Sequence, residues 1–187
     1  MLTAQERICL KTDRLSVNFN CLELVDSRDH PSLVESPNSV ILGYAKPFAV
    51  INLEEFRLIC GDDKPVKVDS WYRNPKLNKE VGGEKKSIHM ILDPITQVFN
   101  GVAADLVPQG ISIFDAFKRT VLLKSNFMTF ILYPKRGFIH CDTNTHRHER
   151  CWFISMDKGG YDPIQSIPDI VNIRDYLKQK YNFACKE

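Results

Sequence analysis

Phe127-Met128-Thr129-Phe130-Ile131-Leu132-Tyr133, Gly137-Phe138-Ile139-His140-Cys141-Asp142 and Cys151-Trp152-Phe153-Ile154-Ser155-Met156 are three short runs rich in aromatic and β-branched residues. Runs of this length and composition pair as strands, and their closeness in sequence predicts an antiparallel meander. Side chains two apart on a strand share a face. His140 and Asp142 are therefore expected on one side of the sheet, with Cys141 packed on the other.

Upstream, Val66 and Val68 alternate with polar neighbours and predict a strand running into Ser70 and Trp71. Residues 102–107 predict another. Short helices are expected around Phe19, Leu22, Leu24 and Val25, and from Asn52 through Phe56 and Ile59 to a stop at Gly61. Asn74 and Pro75 suit the cap and first position of a helix ending at Gly82 and Gly83. Ser112 and Asp115 cap a helix through Lys124 with Phe114, Phe117 and Val121 on its apolar face. Ile170, Ile173, Tyr176 and Leu177 recur at helical spacing and predict one last helix over 167–182, with Lys178 and Lys180 near its C-terminal end. Residues 29–44, rich in Pro, Ser and Asn without a period, read as a surface loop. Helices before and after a small central antiparallel sheet make the expected fold class α+β.

A chain of 187 residues with 43% hydrophobic and 26% charged residues suits one soluble core rather than two domains. No apolar run approaches the roughly 20 residues that cross a bilayer, so membrane insertion is not expected. A net charge of +2 with scattered Lys and Arg excludes the basic face that nucleic-acid binding requires. The locally basic stretch 76–86 is broken by Glu80 and Glu84. Residues 1–14 carry Glu6 and Asp13 and lack the apolar core of a secretory signal, which predicts synthesis in the cytoplasm. Six cysteines lie far apart without a Cys-x-x-Cys pair, and most are expected to be reduced core thiols. The sequence sets no oligomeric state.

Five histidines stand at 30, 89, 140, 146 and 148. His89 follows a turn rich in Gly and Lys, Asp105 lies on a predicted strand, and His140 lies on a later one. Two imidazoles and a carboxylate would give a zinc ion three ligands and leave a fourth position for water. Asp93 is a rival carboxylate nearer to His89. His146 and His148 with Glu149 form a rival cluster, although the polar run 144–150 suits an exposed turn. Trp71, Tyr72 and Trp152 suit either a substrate groove or the core.

Several ordered blocks then carry a resemblance: Ser70-Trp71-Tyr72-Arg73-Asn74-Pro75, Asn78, Val81-Gly82-Gly83, Ser87-Ile88-His89, Gly101-Val102-Ala103-Ala104-Asp105 and Phe138-Ile139-His140-Cys141-Asp142-Thr143. Together with Leu15-Ser16-Val17-Asn18-Phe19 and Glu23-Leu24, they resemble the zinc D-alanyl-D-alanine carboxypeptidase and murein endopeptidase family, related to lysostaphin and hedgehog-type domains, in its small phage-encoded form. The resemblance spans about residues 15–153. It implies Zn2+ held by His89, Asp105 and His140, and hydrolysis of peptide bonds next to D-amino acids in the stem peptides of bacterial peptidoglycan, for phage lysis or entry. Arg73 becomes a substrate-facing, oxyanion-steadying group, with Ser87 and Tyr72 beside it at the substrate.

Two departures follow. The family places its Asp seven residues after the first His, whereas Asp105 lies sixteen after His89. An insertion within 90–100 is expected to form a flap near the site, since lengthening a loop costs only about 0.6 kcal/mol per doubling. The acid that relatives carry two or three residues before the last ligand is absent, because Phe138 and Gly137 stand there. Asp142 is then the candidate general base, or else it orients a ligand. An inactive zinc-binding or virion structural module on the same fold is the alternative function.

Overall fold

The computed structural model describes residues 2–123, 125–145, 149–156, 160–164 and 166–185. Six strands form its sheet: β1 (Val66–Ser70), β2 (Ala103–Pro108), β3 (Thr129–Tyr133), β4 (Phe138–Asp142), β5 (Cys151–Ile154) and β6 (Asp162–Pro163), in spatial order β1-β2-β4-β3-β5-β6. The expected β3–β4 hairpin is present, with Tyr133 opposite Phe138 and Thr129 opposite Asp142. The meander is not. The far edge of β4 is taken by β2, so β5 docks on the free edge of β3 and runs parallel to it. Composition marks these runs as strands but says nothing about which edge each one meets, and the sheet is therefore mixed.

Alternation divides the sheet cleanly. Ala104, Leu106, Phe130, Leu132, Ile139, Cys141 and Ile154 point into the core and are all but fully buried. Helices cover that side. α6 (Ile113–Leu122), capped by Ser112, lays Phe114, Phe117 and Val121 against it, as its spacing predicts. Phe127 packs edge-on against Phe48, Phe56 and Phe130. The opposite face carries Asp105, Ile131, His140 and Asp142. The α+β expectation thus holds, with helices concentrated on the core side.

Local signals fix most helix ends. Thr3 with Glu6, and Asn20 with Glu23, close reciprocal capping boxes on α1 (Ala4–Thr12) and α2 (Cys21–Val25). Asn74 caps α5 (Pro75–Glu80). Residues 29–44 are only partly irregular: a 3-10 turn at Pro31–Leu33 precedes α3 (Ser39–Phe48), which Asn38 caps. Asn52 does not begin a helix. It lies in a π-helical stretch, Ala49–Leu53, that joins α3 to α4 (Glu54–Cys60) directly after Pro47. The widened turn carries the chain onward without a break. Gly61 ends α4 as expected. The segment expected as one last helix is two, α7 (Ile167–Val171) and α8 (Ile173–Tyr181), parted at Asn172. Lys124 lies outside the described residues.

Cys21, Cys60 and Cys141 are buried free thiols, Cys151 and Cys185 are half-buried, and Cys9 is exposed. No helix among the described residues is long and apolar enough to cross a membrane.

Gly101 leads into β2 at φ 116, and a Cβ there would meet the Thr143 carbonyl oxygen at 2.7 Å. The close approach lets Thr143 N–H donate to the Val102 carbonyl and Val102 N–H to Thr143 Oγ1. Gly101→Ala should therefore cost about 2 kcal/mol or more, read as a lowered urea midpoint at unchanged slope.

Candidate metal centre

His89 sits in a 3-10 turn (Ile88–Met90) that β1 and its continuation hold in place. Its carbonyl accepts the Arg73 N–H, and its Nδ1 lies 2.7 Å from the Trp71 carbonyl oxygen. Asn78, buried in α5, supports the preceding turn: its carbonyl accepts the Gly83 N–H, and its Nδ2 donates to the Glu84 carbonyl. Asp105 and His140 are placed by sheet register. Ser70, Asp105, His140 and Ile131 form one cross-strand row over β1, β2, β4 and β3.

The register brings three donor atoms together. His140 Nδ1 lies 2.9 Å from Asp105 Oδ1, His89 Nε2 lies 3.5 Å from the same oxygen, and the two ring nitrogens are 3.3 Å apart. Four ligands at about 2.0–2.1 Å from zinc stand roughly 3.3 Å from one another in a tetrahedron, so the set fits such an ion. The other ring nitrogens strengthen the fit. His89 Nδ1–H donates to a backbone carbonyl, and His140 Nε2 faces Asp142 Oδ2 at 3.3 Å. Each ring is thereby oriented so that the nitrogen facing Asp105 is the one that would bind an ion there. His89, Asp105 and His140 are the group among the described residues able to hold a metal ion.

Around this set, two groups anticipated as catalytic take specific places. Asp142 shares the face of His140, as strand alternation requires, but its carboxylate does not stand free. Oδ2 faces the imidazole and Oδ1 accepts the Asn144 N–H. This is the geometry of a group that orients a ligand. Arg73 lines the cleft, yet its Nη2 donates to Asp105 Oδ2 at 2.9 Å and its Nε to Ser70 Oγ at 2.8 Å. The guanidinium is engaged with the carboxylate that would bind the ion rather than held out to solvent.

Charge follows from these contacts. Burial alone would raise Asp105, but His89 and His140 hold it well below the usual carboxylate range. Burial lowers His89, against the opposing pull of Asp105. Burial also opposes charge on His140, but hydrogen bonds to Asp105 and Asp142 prevail and raise it to about 9. In the metal-free protein at neutral pH, His140 is thus an imidazolium between two carboxylates, and a proton occupies the nitrogen a metal would use.

The ligands form part of the floor of a cleft of about 1080 Å³. Ser87 lines it two residues before His89. Tyr72, half-buried, packs on the core and does not line the cleft. Trp71 is fully buried against Phe48, and Trp152 also packs on the core. The inserted segment does wall the cleft, through Asp93, Thr96, Val98 and Asn100. It is a tight loop rather than a loose flap. Leu92 bridges Phe99, and the Asp93 carboxylate accepts the backbone N–H groups of Thr96 and Ile95, which lower its pKa. Those bonds turn Asp93 inward to its own loop, and Asp105 takes the place beside the histidines. His146 and His148 lie outside the described residues.

Sequence reasoning missed Thr129, Tyr133, Arg136, Phe153 and Tyr161, all of which line the cleft. Period-two alternation from His140 reaches Phe138. Only the pairing register adds Thr129, Ile131 and Tyr133 from β3 and Phe153 from β5.

Residues 24–142, well over half the chain, match the Peptidase M15 family. The chain belongs to that family. Peptidase M15 comprises zinc peptidases of the D-alanyl-D-alanine carboxypeptidase type, and the match covers His89, Asp105 and His140. Among curated proteins, none matches the chain.

Metal binding must displace the proton from His140. Affinity for a divalent transition metal should rise about tenfold per pH unit toward pH 9, with one proton released per ion. Calorimetry in buffers of different ionisation enthalpy reads both. The metal-free protein should show the opposite trend. The His140 pKa is raised above its unfolded value, so its stabilisation is full below about 6.5 and is lost as pH rises to about 9, which melting in chelator measures. Asp142→Ala should weaken metal binding by about 10–100-fold, whereas loss of turnover at unchanged affinity would identify Asp142 as a base instead.

Proposed function

We propose that this protein is a zinc-dependent peptidoglycan peptidase, cleaving peptide bonds next to D-amino acids in the stem peptides of the bacterial wall. The observation that carries this is the convergence of two imidazoles, each fixed by a hydrogen bond on its outer nitrogen, on one carboxylate oxygen in the floor of an open cleft. That donor set leaves room for water and substrate, the composition of a catalytic rather than a structural zinc site. The cleft, slightly larger than the roughly 300–1,000 Å³ of small-molecule sites, has the size for a peptide substrate.

His89, Asp105 and His140 would hold the ion. Bound there, zinc supplies a Lewis acid for the scissile carbonyl and lowers the pKa of its water from about 16 to near 7. The protein's own groups prepare that chemistry. Asp142 and the Trp71 carbonyl keep the two rings in register, and Arg73 holds Asp105 by its second oxygen so that the first stays turned to the histidines. Thr129, Ile131 and Phe138 on one side, and residues 93–100 on the other, wall the cleft where a peptide would lie.

Resemblance to small phage-encoded members supports a role in lysis or entry, with synthesis in the cytoplasm and action at the wall or in the periplasm. Carboxypeptidase and endopeptidase activities differ in products, which mass spectrometry of muropeptides released from purified sacculi resolves. The expected outcome is zinc-dependent release of peptides cut beside a D-residue, stopped by chelator, with His140→Ala lowering the rate more than about a hundredfold, beyond the cost of losing an orienting partner. One equivalent of bound zinc without cleavage would instead establish an inactive binding module.

A further inference from the structure

Two arginines line the cleft, Arg73 and Arg136, and they are in opposite electrostatic situations. Arg73 is spent on Asp105 and Ser70. Arg136 is exposed, and no carboxylate among the described residues faces it. Its guanidinium carbon lies 4.7 Å from the Phe138 ring centre and 5.5 Å from that of Tyr133, and these two rings are themselves stacked at 4.4 Å. The turn beneath is fixed: Pro134 begins it, Gly137 at φ 77 closes it, and the N–H groups of Arg136 and Gly137 both donate to the Tyr133 carbonyl. A cation placed on aromatic faces keeps its in-plane N–H fork available for a planar anion.

We propose that Arg136 is a specificity-determining residue that binds a substrate carboxylate. Phe138 precedes His140 by two residues on one strand face, about 6.8 Å along the chain. An extended peptide advances about 3.4 Å per residue, so the recognised carboxylate lies about two residues from the scissile bond. The substrate class is accordingly an acidic stem peptide with that carboxylate free. This rests on the peptidase function proposed above.

The test uses synthetic stem peptides with the carboxylate either free or amidated, and the zinc-loaded wild type beside Arg136→Gln and Arg136→Lys. Wild type should prefer the free acid by about tenfold in kcat/KM, mainly through KM, as for a charge-assisted planar pair. Arg136→Gln should erase the preference by raising KM for the free acid to that for the amidated peptide, and Arg136→Lys should retain part of it. A wild-type preference in Arg136→Gln, or an equal loss on both peptides through kcat, overturns the proposal. Equilibrium binding of the same peptides to chelator-treated protein needs no turnover. There the free acid should also bind more tightly, and only when Arg136 is present. If wild type cleaves neither peptide, the peptidase function fails, while the binding comparison still decides for or against Arg136.

Discussion

The structure depends on the way two imidazole rings are tied from behind. His89 gives its Nδ1–H to the Trp71 carbonyl, and His140 sets its Nε2 against Asp142. A histidine free to rotate would present either nitrogen. Tied, each ring turns one fixed nitrogen toward Asp105 Oδ1. Charge and polarity buried this far are costly without partners, so the arrangement exists only because the surrounding fold supplies every second partner: a strand continuation for His89, the neighbouring pleat for His140, and Arg73 for the outer oxygen of Asp105.

That supply explains the one-sided architecture. Packing helices against the core face of the sheet lets Phe130, Leu132, Ile139 and Cys141 anchor β3 and β4 rigidly, and the residues between them are left for chemistry on the other face. A slip of one residue between β2 and β4 would turn Asp105 or His140 into the core. The register is therefore a functional constraint as much as a structural one. Gly101, which lets β2 enter beside residue 143, belongs to the same constraint.

How much of this was legible in the sequence depended on the range of the interaction. Capping signals at Asn74 and Ser112 act over three residues and set their helix starts as read. The pairing of β5 with β3 depends on a competition for sheet edges, which no local pattern carries. Asn52 had the residue type of a cap but stands inside a continuous helical run that passes from α3 through the π-helical turn into α4. The histidines and Asp105 were readable from motif context even across the insertion, since a loop closed by its own Asp93 bonds adds length without moving its ends. Arg73 and Tyr72 show the limit: adjacent residues in one motif beyond the end of β1, one reaching Asp105 and the other packing on the core, a division that no local period marks.

Asp142 and Arg73 act on the ligand set in opposite senses. A carboxylate against His140 Nε2 draws that proton outward and makes Nδ1 a better electron donor. A guanidinium on Asp105 Oδ2 draws electron density from the carboxylate and makes Oδ1 a poorer one. A site built only of strong donors would quench the acidity of a bound ion, and one built only of weak donors would not retain it. Pairing one reinforced imidazole with one tempered carboxylate divides the two tasks between residues on adjacent strands. The division also accounts for an arginine placed 2.9 Å from the Asp105 carboxylate in a cleft whose floor could hold a positive ion: its charge is offset locally by Asp105, and the anionic partner of His140 restores the balance on the other side.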